Sequence, residues 1–74
     1  MTKDMSRPFD LLDRAIENSV MVKLKGDTTI RGILKTFDQH MNIVLAEAEE
    51  IKGEQKEKIG NVIVRGDNIL YVSP

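Results

Sequence analysis

The sequence predicts a mainly β protein, with one N-terminal α-helix followed by a five-stranded, strongly bent antiparallel sheet that forms a small open barrel. Two observations carry this prediction. Apolar residues near the N-terminus recur with the period of an amphipathic helix, whereas from residue 19 onward they alternate or form short runs typical of strands. Gly, Asp and Asn separate several of these runs. Five short strands after one helix describe a small barrel, and the 74 residues are expected to form a single domain.

The helix is predicted over residues 6–18, and the polar residues 1–5 are expected to be flexible. Ser6 can cap the first turn, and Asn18 is a plausible C-terminal stop. The apolar stripe of the helix consists of Phe9, Leu12 and Ile16. One short amphipathic helix cannot bury its own stripe, so it is expected to lie on the sheet.

The barrel is predicted over residues 19–73. Its strands are expected at about residues 20–25, 28–37, 43–46, 59–64 and 68–72. Gly26 and Asp27 supply turn chemistry for the first hairpin, and Gly32 is interpreted as a bend where the barrel must close. Residues 49–58 are strongly charged, which predicts a variable, solvated loop or two strand extensions around a variable tip.

The size of the chain favours an oligomer. A chain near this length buries only about 60% of its unfolded surface and is marginal unless it is cross-linked or oligomeric. There are no cysteines, so neither a disulfide nor a thiolate metal site can supply stability, and oligomerisation is the remaining ordinary route. The formal charge of −1 argues against a broad basic surface for nucleic acid, but it allows a local site repeated around an oligomer.

The sequence shows no sign of membrane insertion. The N-terminus lacks the apolar segment of a signal peptide, and no run approaches the ~18 apolar residues of a membrane span. A cytoplasmic protein with no membrane partner is therefore expected.

Two polar loops between apolar runs are the candidate functional segments. The first is residues 37–42, which hold the only histidine, and the second is Arg65-Gly66-Asp67. A small antiparallel barrel can bring two such strand-end loops side by side. Together they offer a ring to stack on, an amide that can read a base edge, and a guanidinium. This combination indicates the binding of a nucleic-acid base, not catalysis.

Two segments resemble the paired motifs of the Sm and Sm-like (LSm) protein family, in its minimal archaeal type. The first is residues 32–45, GILKTFDQHMNIVL, and the second is residues 61–69, NVIVRGDNI. The resemblance implies the Sm fold and a closed ring, most often of seven copies, in which the fourth strand of one subunit pairs with the fifth of its neighbour. Ring closure would remove exposed strand edges, which are aggregation hazards, and Val64 and Ile69 would lie at the pairing.

The resemblance also implies a function. Such a ring would bind single-stranded, uridine-rich RNA at its central pore, one nucleotide per subunit, and act as a scaffold or chaperone in RNA processing or turnover. The positions that match the family's RNA contacts are His40, Asn42, Arg65, Gly66 and Asp67. Among them, Gly66 would let the backbone approach closely.

The other matched side chains would take complementary roles. His40 would stack on a base, and Arg65 would cover its other face. Asn42 would hydrogen-bond the base edge, with Asp38 orienting it, and Asp67 would add a further contact. Stacking of this kind contributes ~1–3 kcal/mol per base. An amide can both donate to and accept from uracil.

Other functions remain as alternatives. A protein-interaction barrel is disfavoured by the presence of only three aromatic residues. An assembly scaffold with RNA as an incidental ligand stays open as an alternative. A hydrolase is disfavoured because the single His40 has no cysteine partner and the acids cluster away from it. No catalytic residue, metal ligand or cofactor is therefore expected. Arg7 could reach phosphate on a second ring surface, although Asp10 and Asp13 nearby would repel it.

Overall fold

The computed structural model describes residues 8–74. The segment 1–5, Ser6 and Arg7 lie outside the described residues. The elements are helix α1 (Pro8–Ala15), strands β1 (Ser19–Leu24), β2 (Thr28–Phe37), β3 (Ile43–Lys52), β4 (Gln55–Val64) and β5 (Ile69–Ser73), and a 3₁₀ turn at Gly66–Asn68. The predicted class, a helix followed by five antiparallel strands, is confirmed. No helix within residues 8–74 is long and apolar enough to cross a membrane.

Helix α1 ends earlier than the predicted residue 18, because the chain turns toward the sheet. Glu17 adopts the left-handed conformation (φ 71°), and its N–H donates to the carbonyl of Leu34 in β2 at 2.7 Å. Asn18 nevertheless caps the helix, since its N–H donates to the Ala15 carbonyl (2.9 Å) and its side-chain amide to the Arg14 carbonyl (3.2 Å). The helix is thereby fixed to the middle of the sheet.

The five strands form one antiparallel sheet in the order β4-β3-β2-β1-β5, so that β4 and β5 are its edges. The register between β2 and β3 shifts at Gly32, between Arg31 and Ile33. A side chain at Gly32 would come within 3.1 Å of the Ala46 carbonyl oxygen and 3.2 Å of the Ala48 Cα. The interpretation of Gly32 as a bend is confirmed, and close approach of β3 is the reason that glycine stands there.

The core lies between the helix and one face of the sheet. Its buried hydrophobic residues are Leu12, Ala15, Val20, Val22, Ile30, Leu34, Ile43, Leu45, Ala48 and Val64. The helix stripe also reaches the first candidate loop, because the rings of Phe9 and Phe37 lie 5.7 Å apart at their centroids. Helix α1 therefore packs behind the end of β2, where that loop begins.

The charged segment 49–58 is an extended hairpin, not the loop that the sequence predicted first. Strand β3 continues to Lys52 and β4 begins at Gln55, so only Gly53 and Glu54 form the turn. The alternative of two strand extensions is the observed arrangement. The strands persist because their backbone groups pair with each other along the whole length of the hairpin.

Candidate nucleic-acid interface

The two candidate loops lie together because of the register between β3 and β4. Ile43, the first residue of β3, pairs with Val64, the last residue of β4. The residue before Ile43 and the residue after Val64 are therefore neighbours at one end of the sheet. These residues are Asn42 and Arg65, one from each loop, so the structure brings the predicted segments into a single site.

Asp38 organises the first loop. Its Oδ1 accepts hydrogen bonds from the N–H groups of His40 (2.8 Å) and Asn42 (3.0 Å), and its Oδ2 accepts from the Asn42 side-chain amide (3.0 Å). Its own N–H donates to the Asn42 carbonyl at 3.0 Å. These bonds favour the carboxylate, and the bond from the Asn42 side chain above all holds the pKa of Asp38 below its ordinary value. The predicted orientation of Asn42 by Asp38 is present.

Asn42 joins the two loops. Its Oδ1 accepts a hydrogen bond from the Gly66 N–H at 2.8 Å, while its Nδ2 donates to Asp38. A carboxylate only accepts and a backbone N–H only donates, so these two neighbours leave a single possible orientation for the amide. One N–H of Nδ2 and one lone pair of Oδ1 remain for a ligand. The site thus presents a donor and an acceptor in a fixed order.

Gly66 is required by the packing of the loops against each other. A side chain at this position would collide with the His40 carbonyl oxygen and lie 2.9 Å from the carbonyl carbon of Met41. The sequence predicted a close backbone approach at Gly66, and the approach seen here is to the first loop. Met41, in the left-handed conformation (φ 67°), packs against the core beneath.

The two stacking candidates are solvent-accessible. His40 is exposed in the first loop. Arg65 is exposed over 74% of its side chain, and its guanidinium donates to the Asp67 carboxylate at 3.2 Å. That ion pair restricts where the guanidinium can lie. Asp67 therefore helps to position Arg65, whereas the sequence predicted for it only a direct contact with RNA.

A cleft of about 450 Å³ lies beside these residues. It is lined by Asn42 and Arg65, by Asp38, and by three residues that sequence reasoning missed: Thr36, Val44 and Ile63. These three stand in one row across β2, β3 and β4, as the pairs Thr36–Val44 and Val44–Ile63 show. A sequence signal for them existed, because each alternates along its strand with residues of the core and must therefore point to the outer face. Their alignment beside the loops depends on a register that sequence alone does not supply.

Residues 8–74 contain no group of three or more side chains suited to hold a metal ion. The chemistry available at the site is hydrogen bonding by an oriented amide, stacking by an imidazole and a guanidinium, and one positive charge close to a carboxylate. These are the elements of a site that binds a flat, polar ring.

A helix on a bent five-stranded antiparallel sheet, with two strand-end loops interlocked at one end, defines the chain as an Sm-like domain. The LSM domain family matches residues 10–74, so the chain belongs to the LSM family, and the resemblance of its two motifs to that family is confirmed.

Similar proteins come from archaea. A protein of Methanococcoides burtonii, named as snRNP Sm-like, is 56% identical over 93% of this chain and 97% of its own length. The Sm protein of Pyrococcus abyssi, solved in complex with a uridine heptamer, is 41% identical with a TM-score of 0.88, over 93% of this chain and 99% of that one. A heptameric archaeal Sm protein is 46% identical with a TM-score of 0.84, over 88% and 96% of the two chains.

Proposed function

We propose that this protein assembles into a homo-oligomeric ring of seven Sm-like subunits and binds single-stranded, uridine-rich RNA at the central pore. It would act in the cytoplasm as a scaffold or chaperone in RNA processing or turnover, with no chemistry of its own. The observation that carries the proposal is the fixed amide of Asn42, bonded to Asp38 on one side and Gly66 on the other. The uridine heptamer bound by the similar Pyrococcus abyssi protein supports the choice of RNA.

The geometry suits uracil. The N3–H of uracil is a donor, and the carbonyl oxygens beside it are acceptors. They match the free lone pair and the free N–H of Asn42 in complementary order. His40 and Arg65 supply flat groups for the two faces of the base, and stacking contributes ~1–3 kcal/mol. Each site is weak alone, so affinity would come from several sites linked by one RNA strand.

The edges of the sheet support the ring. On the edge strands, Ile63 in β4 is 72% exposed, and Leu70 and Tyr71 in β5 are 58% and 56% exposed. An apolar groove of about 270 Å³ runs between α1 and β5. Pairing of β4 from one subunit with β5 of the next would cover these residues and satisfy the free backbone groups of both edges.

The first experiment compares labelled oligo-U, oligo-A and oligo-C by fluorescence anisotropy in physiological salt. The expected result is tight binding that selects oligo-U and weakens at least about tenfold in His40→Ala or Arg65→Ala, which corresponds to ~1.4 kcal/mol. Equal, weak binding of all three RNAs would contradict the proposal. That result would favour the alternative function, an assembly or protein-interaction scaffold with RNA as an incidental ligand.

A paired exchange separates loop structure from base reading. In the double variant Asp38→Asn with Asn42→Asp, the new amide at position 38 can donate to the new carboxylate at position 42. That carboxylate can still accept from the Gly66 N–H, so the loops stay joined. It has no N–H, however, to offer to a uracil carbonyl. We expect thermal stability near the wild type and loss of U-selective binding. Retained selectivity would exclude Asn42 as the reading group.

Substitutions at two neighbouring residues of β4 test whether this edge strand forms the contact between subunits. Sequence reasoning named Val64 for this purpose, but Val64 is only 5% exposed within one subunit, so Val64→Asp should unfold the subunit itself. Ile63→Asp places the same charge on the exposed side of the same strand. Light scattering should then show dissociated, folded subunits. A full-size oligomer in Ile63→Asp would mean that this edge does not form the ring contact.

A further inference from the structure

The charges of the extended hairpin are sorted between its two faces. Paired residues of adjacent antiparallel strands point to the same face, so the register gives the faces directly. One row across the outer face, which points away from the core, contains Arg31, Glu49 and Lys58. The next row on that face contains Thr29, Ile51 and Lys56. These two outer rows therefore carry three cations and one carboxylate; Lys56 and Lys58 belong to the hairpin, and Arg31 belongs to the adjacent strand β2.

On the inner face of the same hairpin, carboxylates outnumber cations. Its rows contain Ile30, Glu50 and Glu57, and then Thr28, Lys52 and Gln55. Two carboxylates and one cation occupy this face, with Glu50 directly opposite Glu57. A chain with a formal charge of −1 thus concentrates positive charge on one side of an exposed hairpin.

The outer cations are available to a ligand. Arg31, Lys56 and Lys58 are all exposed. Within residues 8–74, none of the three has a carboxylate within ion-pair distance; the ion pairs found there join Lys23 to Asp27, Lys35 to Glu17 and Arg65 to Asp67. We name Arg31, Lys56 and Lys58 the basic tip face.

We propose that the basic tip face is a second RNA-contacting surface, which binds the phosphates of single-stranded RNA where the strand continues beyond the pore site. This inference rests on the proposed function and extends it from base recognition to the flanking backbone. The pore loops supply one cation, Arg65, already paired with Asp67, whereas the tip supplies three unpaired ones in each subunit. Repetition around a ring would multiply that positive charge.

The composition of the face favours phosphate over an acidic protein. Binding to proteins is usually concentrated in buried aromatic or apolar anchors within a packed patch. The two outer rows offer no aromatic residue on the hairpin and a single half-buried Ile51. Phosphate contacts need only mobile cations with access to solvent, and they place no demand on shape.

The test compares two RNAs on the intact assembly. One is an oligo-U just long enough to fill the pore site, and the other is the same oligo-U with an unstructured oligo-A flank. The affinity of each is measured by anisotropy across a range of salt concentrations. Each phosphate neutralised on a single strand adds ~0.7 to the slope of log K against log salt. We expect a steeper slope and tighter binding for the flanked RNA.

Variants then locate the added contacts. The triple variant Arg31→Ala, Lys56→Ala and Lys58→Ala should lower the slope of the flanked RNA to that of the short RNA and leave the short RNA unaffected. Lys52→Ala is the matched control, because it removes a cation of the same hairpin from the inner face. Glu49→Gln should act in the opposite direction and tighten binding of the flanked RNA, since it removes the one carboxylate between Arg31 and Lys58.

The outcomes separate this inference from the proposed function. Tight oligo-U binding with equal salt slopes for both RNAs would overturn the basic tip face and leave the pore site standing; an acidic protein would then be the better candidate for this face. The basic tip face would also be overturned if Lys52→Ala and the triple variant weakened binding of the flanked RNA equally per positive charge removed. Such a result would indicate a general effect of net charge. Failure of oligo-U to bind at all would instead overturn the proposed function.

Discussion

The interlocked loops and the extended hairpin are both polar ends of the same sheet, but they use their polar groups differently. In the loops, Asp38 and Asn42 each make several hydrogen bonds to fixed partners. In the hairpin, Lys56 and Lys58 have no ion-pair partner within residues 8–74. Groups held by several bonds can present a donor and an acceptor in a set order. Groups on free, flexible side chains can supply charge but little geometry.

This difference predicts a division of labour. In the proposed function, selectivity for a base would depend on the position of Asn42, which is fixed by its hydrogen bonds to Asp38 and Gly66. Attraction to a phosphate backbone depends mainly on the number of cations, and it tolerates motion. Substitutions in the loops should therefore change which RNA binds, whereas substitutions in the hairpin should change how strongly any RNA binds.

The largest effect is expected from a single methyl group between the loops. In Gly66→Ala the new Cβ would collide with the His40 carbonyl and force the loops apart, which would break the hydrogen bond from Gly66 to Asn42. Overpacking of this kind costs ~1–3 kcal/mol of folding stability. We expect a lower melting temperature in calorimetry and at least about a tenfold loss of oligo-U affinity, the equivalent of ~1.4 kcal/mol.

Gly53→Ala is the matched control from the hairpin turn. Gly53 has a φ of 61°, so a side chain there is strained by about 1–2 kcal/mol, but no atom lies within 4 Å of the added Cβ. Stability should fall by a similar amount while oligo-U affinity stays unchanged. Parallel losses of affinity in both variants would show that RNA binding follows stability in general, and the comparison between the regions would fail.

A smaller effect concerns pH. The pKa of Asp38 lies below its ordinary value of 3.8, chiefly because the Asn42 side chain donates to the carboxylate. A lowered folded pKa means that the ionised form stabilises the loop fully above the ordinary value. This contribution is lost as the pH falls through the folded pKa. We expect the order of the loop, and oligo-U binding with it, to withstand acidification down to the ordinary carboxyl range.

Carboxyl NMR titration checks this directly. In Asn42→Ala the largest cause of the shift is absent, so the midpoint of Asp38 should rise toward its ordinary value. An unchanged midpoint for Asp38 would mean that Asn42 does not hold the carboxylate in solution.

Sequence reasoning found the elements whose causes are local. Asn18 as the C-terminal stop of the helix, Gly32 as a bend and the presence of five strands follow from capping chemistry, steric limits and alternation. It also selected the five loop positions now placed at one site, although their contacts with RNA remain a prediction. The orientation of Asn42 by Asp38 was implied by the resemblance to the LSm family, and the hydrogen bond between the two side chains is present.

What the sequence could not supply is the register between distant strands. The row of Thr36, Val44 and Ile63 beside the site, and the pairing of Glu50 with Glu57 on one face of the hairpin, both depend on which residue pairs with which. The hairpin was first predicted as a loop at residues 49–58, because its charge density resembles that of a solvated connection. Backbone pairing, which composition does not reveal, keeps it extended.

The smallest predicted effect arises from that same pairing. Glu50 and Glu57 stand directly opposite each other, and like charges in such positions destabilise a sheet. Glu57→Lys converts the pair to opposite charges and should stabilise the fold by ~0.2–1 kcal/mol. Glu54→Lys makes the same charge change at the turn, outside the paired positions, and should leave the melting temperature unchanged. The gain in folding stability of Glu57→Lys should shrink in high salt, because both side chains are accessible to screening ions. A gain in stability that persisted in high salt would have to come from β-propensity or packing. Repulsion between Glu50 and Glu57 would then not be the cause of the gain.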